Sequence, residues 1–91
     1  TGGEKVAPAA VEAALASHPS VAEVAVVGVP DAEWGARVVA VVVLRGPLSL
    51  EEARSHVAAR LSRVAAPREL RVLDRLPLLP SGKIDRMRLT R

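Results

Sequence analysis

The run Val38-Val39-Ala40-Val41-Val42-Val43-Leu44 constrains this chain more than any other stretch. β-Branched residues at nearly every position favour an extended backbone. Side chains of a strand alternate between its two faces. A strand that is apolar at every position therefore has two faces to cover, and it belongs at the centre of a sheet. The 91 residues allow one domain, residues 1–91, in which to do this. Almost all of the apolar content is Ala, Val and Leu, with Trp34 the single aromatic. Packing must come from small aliphatics, and such a thin core suits a module that works beside something larger.

The flanking sequence supplies the covering elements. Pro8 opens a helix at a position where its missing N–H costs nothing, and Val11, Ala14, Leu15 and His18 fall on one face before Pro19 ends it. His18 reads as a charge partner for that helix's C-terminal dipole. Val21 to Val29 is a β-branched strand, and Pro30 to Gly35 is a turn. The short connection favours an antiparallel pair with the central strand. Ser49 and Glu52 form a capping box for a second helix reaching about Arg63, with Leu50, Ala53, Val57 and Leu61 inward. His56 reads as a structural ion pair or boundary residue. Glu69 to Leu73 is a third strand with Leu70 and Val72 on one face, and Asp85 caps a last helical turn. The expected fold is an α+β two-layer sandwich: a small, three-stranded, mainly antiparallel sheet covered by helices, in the order α-β-β-α-β.

Several function classes fall away on composition. There is no cysteine, so no disulfide framework, thiolate metal site or Cys nucleophile. Two unclustered histidines make no metal site. No apolar run reaches the roughly 18 residues of a membrane span, and no signal peptide is visible, so a cytoplasmic setting is expected. The chain opens Thr1-Gly2-Gly3 without a Met, and reads as cut from a longer protein or as having lost a tag. Net charge is +3. The excess lies after Pro67, where Arg68, Arg71, Arg75, Lys83, Arg86, Arg88 and Arg91 outnumber Glu69, Asp74 and Asp85. That bias suits an anionic partner. A nucleic-acid module lacks its aromatic stacking platform here.

Leu76-Pro77-Leu78-Leu79-Pro80-Ser81-Gly82-Lys83-Ile84-Asp85-Arg86 is the stretch with the chemistry. Two prolines and a glycine exclude a helix. They read as a stiff loop with one free-turning joint, Gly82, beside a lone lysine. A phosphate-binding P-loop would need Gly at position 77 and Ser or Thr at position 84, where Pro77 and Ile84 stand. The remaining readings are a solvated turn lysine and an ammonium delivered to a chosen point.

Three segments together resemble a known family. Thr1-Gly2-Gly3-Glu4-Lys5-Val6-Ala7-Pro8 followed by Val11-Glu12, then Gly28-Val29-Pro30-Asp31-Ala32-Glu33-Trp34-Gly35, then Leu76-Pro77 through Gly82-Lys83 are similar, in order and spacing, to the mobile C-terminal lid domain of the adenylate-forming enzymes. These include acyl-CoA synthetases, aryl-CoA ligases and peptide-synthetase adenylation domains. Ala65-Ala66-Pro67-Arg68-Glu69-Leu70 and Gly82-Lys83-Ile84-Asp85-Arg86 look most like the actinobacterial branch that acts on 2-succinylbenzoate in menaquinone biosynthesis.

The resemblance implies an ATP-dependent acid–CoA ligase acting in two steps, with ATP and CoA as substrates. Mg2+ and the acyl pocket would belong to a large N-terminal domain, and the 91 residues alone would be inactive. It implies that Lys83 is the catalytic lysine of adenylate formation. Gly2, Gly3 and Glu4 would line the pantetheine passage in the second step, and Gly82 would let the backbone enter a closed site. Trp34 would either meet the CoA nucleotide or plug the aromatic-poor core, the second being favoured. Arg68 and Arg71 would meet CoA phosphates or be solvated surface charge. A lysine acetyltransferase that neutralises Lys83 is a further implied partner. The chain departs from the family in lacking the hinge residue and in carrying Val64-Ala65-Ala66 where many members have an aromatic-basic pair. A fatty-acyl or aryl-CoA synthetase, a peptide-synthetase lid and a non-catalytic basic interaction module stay open as alternatives.

Overall fold

A computed structural model describes residues 7–33 and 35–90. Gly2, Gly3, Glu4 and Trp34, four of the expected cofactor-contacting residues, lie outside them. The described elements are α1 (Pro8–Ala16), β1 (Val21–Asp31), β2 (Gly35–Leu44), α2 (Leu50–Arg60), β3 (Glu69–Val72) and α3 (Arg86–Leu89).

The strands form one sheet in the order β1-β2-β3, with β2 central. β1 and β2 pair antiparallel along nearly their full length, from Val21 opposite Leu44 to Asp31 opposite Gly35. Gly35 takes φ +77° at that junction, a region that L side chains rarely adopt. Asp31 Oδ1 accepts from the Glu33 N–H at 2.9 Å and holds the turn. β3 pairs parallel to β2, from Val39 opposite Glu69 to Val42 opposite Val72. The sheet is therefore mixed but mainly antiparallel. The α2 crossover between β2 and β3 is the connection that a parallel pair requires.

Both faces of β2 are covered, as its composition demands. On one face Val26 and Ala40, with Val24, Val38, Leu44 and Leu70 partly buried, pack against Val11, Ala14 and Leu15 of α1 and Ala53 and Val57 of α2. On the other, Ala25, Val27, Val29, Val39 and Val41 pack against Leu76 and Leu89, with Ile84 partly buried beside them. The two-layer sandwich thus carries a further partial layer, built from the C-terminal segment rather than from a long helix.

Some details depart from the sequence reading. β1 runs on to Asp31, and α2 stops at Arg60 rather than near Arg63. Leu61 leaves the helical region (φ −124°, ψ −87°), and the chain turns back to bury Ala65, Ala66 and Pro67. Arg54 Nη1 donates to the Pro67 carbonyl at 2.7 Å and secures that return. Leu50 and Leu61, expected inward, are 37% and 45% exposed because they fall at the two ends of α2, past the covered part of the sheet. Val72 shares parity with Leu70 but sits at the end of β3, 55% exposed. The Ser49–Glu52 capping box forms as expected, with Ser49 Oγ accepting from the Glu52 N–H at 3.1 Å and Glu52 Oε1 accepting from the Ser49 N–H at 3.0 Å.

Candidate functional site

Gly82 is not a free-turning joint. The Gly82 N–H donates to the Leu79 carbonyl at 2.9 Å and the Leu79 N–H donates to the Lys83 carbonyl at 2.7 Å. Leu78 and Ile84 bridge antiparallel just outside them, and the Asp85 N–H donates to the Pro77 carbonyl at 2.9 Å. Residues 77–85 therefore form a miniature hairpin whose three-residue tip is Pro80-Ser81-Gly82. Such a tip needs a left-handed residue at its third position, and Gly82 takes φ +89°. No described atom lies within 4 Å of a Cβ built on Gly82, so backbone conformation alone demands glycine there. Sequence reasoning took its glycine for flexibility; the structure uses it for a fixed left-handed bend.

Lys83 follows that bend and is exposed. Its carbonyl is held by the Leu79 N–H, while its ammonium meets no carboxylate among the described residues. The backbone is fixed and the charge points into solvent. Leu78 and Leu79, in the outer half of the hairpin, are 57% and 42% exposed. Its base is anchored by burial of Leu76, Ile84 and Leu89 against β1 and β2.

α3 closes the segment. Asp85 is its N-cap, Oδ1 accepting from the Arg88 N–H at 3.4 Å. At the far end Arg71 Nη1 donates to the Leu89 carbonyl at 2.9 Å, and Arg71 Nε also pairs with Glu69. Glu69 is shared with Arg37, whose Nη2 lies 3.3 Å away. The Arg71 hydrogen bond chiefly, with the Arg71 charge and Arg37, holds the Glu69 carboxyl below its usual range against the opposing effect of burial. Arg71 is thus engaged by partners within the domain, with its side chain part-exposed.

A second polar cluster sits at the outer edge of β1. Arg86 Nη1 and Nη2 donate to Glu12 Oε2 and Oε1 at 2.7 and 3.2 Å, a two-pronged pairing. Arg86 Nη1 also donates to the Val26 carbonyl at 3.1 Å, and Glu12 Oε2 accepts from the Val26 N–H at 2.9 Å. Both main-chain groups of Val26 are occupied in this way, so they face off the sheet edge. Pro30, of the same parity, has no N–H to leave unpaired there. Burial of Glu12 alone would raise its pKa, but the Arg86 and Val26 hydrogen bonds outweigh it and hold the carboxyl below its usual range. Nothing local in the sequence announces this cluster, because Glu12 and Arg86 are 74 positions apart. Glu12 and Arg86 lay inside the recognised segments, yet their pairing was missed.

The histidines belong to neither feature. His56 Nε2 lies 2.9 Å from the Ala14 carbonyl and 2.9 Å from Ser17 Oγ, and its Nδ1 accepts from Arg60 Nη1 at 3.2 Å. It ties α2 to the end of α1. His18 Nδ1 accepts from the Ser20 N–H at 3.0 Å, so the ring shapes the turn after α1. Among the described residues no group of three His, Asp or Glu side chains could hold a metal ion, and no helix is long and apolar enough to cross a membrane.

Residues 10–83, from α1 to Lys83 itself, match the family described as AMP-binding enzyme C-terminal domain. The chain belongs to that family. This AMP-binding C-terminal domain is 49% identical over 94 residues to a probable 2-succinylbenzoate–CoA ligase of Mycobacterium tuberculosis, with 100% of this chain and 24% of the relative covered. It is 43% identical over 90 residues to a sulfoacetate–CoA ligase of Cupriavidus necator, covering 97% of this chain and 18% of the relative. Among solved structures, o-succinylbenzoate CoA synthetase of Bacillus subtilis in complex with its acyl-adenylate intermediate superposes with a TM-score of 0.89 at 42% identity, covering 99% of this chain and 19% of that one. The domain spans less than a quarter of the length of these relatives.

Proposed function

We propose that this domain is the mobile lid of an AMP-forming acid–CoA ligase, and that Lys83 is its catalytic residue for adenylate formation. In the first step a carboxylate oxygen attacks the α-phosphorus of ATP and the bond to the bridging oxygen breaks, releasing pyrophosphate. In the second, the CoA sulfur attacks the acyl carbon, the carbon–oxygen bond to phosphate breaks, and AMP leaves. Negative charge gathers on the α-phosphate oxygens as the carboxylate arrives. A cation held in advance at that point stabilises the transition state without reorganisation. The observation that carries the reading is the hairpin: Lys83 has a fixed backbone, an exposed side chain and no internal counter-ion among the described residues.

The large domain that would bind ATP, Mg2+ and the acid is the partner this reading requires. Rotation of the lid would withdraw Lys83 before CoA enters, and Gly2, Gly3 and Glu4 would then line the pantetheine passage, with Trp34 near it or packed inward. Identity to ligases named for 2-succinylbenzoate favours that acid as substrate, with ATP and CoA as co-substrates. An exposed lysine of this kind is also open to an acetyltransferase, which would remove the cation.

The test is Lys83→Ala in the intact ligase. Pyrophosphate release should fall about 10²–10³-fold, the usual cost of removing one preorganised donor. Thioester formation from supplied acyl-adenylate should be retained. Undiminished pyrophosphate release would overturn the assignment.

A further inference from the structure

Lys83 can serve as a placed cation only if the hairpin beneath it is itself placed. The hairpin rests on the second face of the sheet through Leu76, Ile84 and Leu89. Apolar contacts of this kind are not directional, and they resist sliding along the strands weakly. Arg71 ties the far end of α3 through the Leu89 carbonyl; the directional tie next to the hairpin is Arg86, three residues beyond Lys83 and at the first position of α3. From one guanidinium it reaches Glu12 on α1 and the carbonyl of Val26 on β1. α1 lies on the opposite face of the sheet from the hairpin. The side chains of Glu12 and Arg86 therefore meet around the free edge of β1, and an open groove lined by Ala9, Ala13, Ala16, Val24, Leu76 and Ile84 runs along the same edge. The Val26 N–H and carbonyl fix the register of both partners along the strand.

We infer that Arg86 is a positioning residue for adenylate formation: with Glu12 and the Val26 backbone it clamps the Lys83 hairpin to the helical body of the domain. The inference rests on the assignment of Lys83 above. The clamp acts on one half-reaction. During adenylation Lys83 must sit at the α-phosphate, and a misplacement of about 1 Å costs on the order of 100-fold in rate. During thioester formation Lys83 is withdrawn, and a looser hairpin has no chemistry to disturb. Arg86 lies outside the stretch matched to the family, which ends at residue 83.

The two half-reactions of the intact ligase separate this role from a merely structural one. Arg86→Ala should slow pyrophosphate release about 10- to 100-fold, following the misplacement argument. Thioester formation from supplied acyl-adenylate should stay within about twofold of the parent. Arg86→Lys should recover part of the lost adenylation rate, because an ammonium can meet one Glu12 oxygen but not both oxygens in the forked geometry. Glu12→Gln should show the same split, and the double variant Glu12→Gln/Arg86→Ala should be no worse than Arg86→Ala, since both single changes open one clamp. If Arg86→Ala does not fold, Arg86→Lys and Glu12→Gln carry the same comparison. Equal loss in both half-reactions, or no loss in either, overturns the inference. Lys83→Ala run beside them keeps the two claims apart: if it blocks adenylation while the clamp variants do not, the clamp falls and the catalytic lysine stands.

Discussion

The two faces of the sheet are covered in different ways. The helix face is closed by α1 and α2, whose apolar stripes bury Val11, Leu15, Ala53 and Val57 completely. The other face is closed by a hairpin and a four-residue helix, α3, with few apolar anchors and a set of polar ties at its ends. One face is a body and the other is a mount. A continuous helical cover makes a cooperative unit, because each side chain touches neighbours on two elements. A mount built from loop can be held accurately and still present an exposed tip. That is what the role proposed for Lys83, which lies on the mount, requires.

Core truncations on the two faces should break this comparison if it is wrong. Leu15→Ala should destabilise the domain by about 3 kcal/mol, since the site is fully covered by fixed helices and cannot collapse. Leu89→Ala, close to the end of the described chain, should cost less, about 2 kcal/mol, because its surroundings can relax. Denaturant unfolding gives both values. Amide exchange gives the sharper contrast: Leu15→Ala should lower protection throughout, whereas Leu89→Ala should lower it first in residues 77–85. Equal and uniform loss in both variants would mean that the hairpin is part of the body.

Gly82→Ala isolates the hairpin further. A Cβ there meets no described atom within 4 Å, so the cost is that of a left-handed alanine, about 1–2 kcal/mol. The strain should appear as lost protection of the Leu79 and Gly82 amides, with the helix face unchanged. Ser49→Ala probes the body in return, removing the side-chain half of the capping box for about 1 kcal/mol. That loss should spread over α2 and the sheet face beneath it, and should leave the hairpin amides as they were.

The difference between the faces also explains what the sequence disclosed. The central strand was legible because seven adjacent aliphatic residues allow few other placements. α2 was legible through Ser49 and Glu52, whose reciprocal bonds are local, and α3 through Asp85. The C-terminal end of α2 was less so, because Leu61 departs from helical geometry without any glycine or proline beside it. The mount was recognisable as a loop but not as a hairpin: a glycine after Pro80-Ser81 fits a flexible joint and a fixed bend equally well until the Leu79–Lys83 bonds are seen. The clamp was invisible, because a pairing between Glu12 and Arg86 depends on both faces meeting at one strand edge. Pattern rules reach three or four residues along a helix and two along a strand, and this pairing spans most of the chain.

The smallest expected effects are the most discriminating, because acid should loosen the two faces in separate windows. On the helix face, burial and then the neighbouring Arg60 charge hold His56 below its ordinary 6.5, outweighing the Ala14 carbonyl that favours its protonated form. The unfolded chain thus binds the proton more readily than the folded one, so stability falls as pH drops through 6.5 toward the folded value and then levels. At the clamp the sign of the linkage is the same but the window differs. Glu12 is held below its ordinary 4.5, so its contribution is complete above that value and is lost as pH falls through the lower folded value. An NMR titration of the chain should therefore show α1–α2 resonances near Ala14 and Ser17 moving first, with Val26 and Arg86 unmoved until the carboxylate range. His56→Gln should diminish the first step, leaving only what His18, whose ring lies 4.9 Å from that of His56, contributes there, and should leave the second unchanged. Val26 and Arg86 responding together with Ala14 in the first step would show that the mount is not mechanically separate from the body, and the distinction between the two faces would have to be given up.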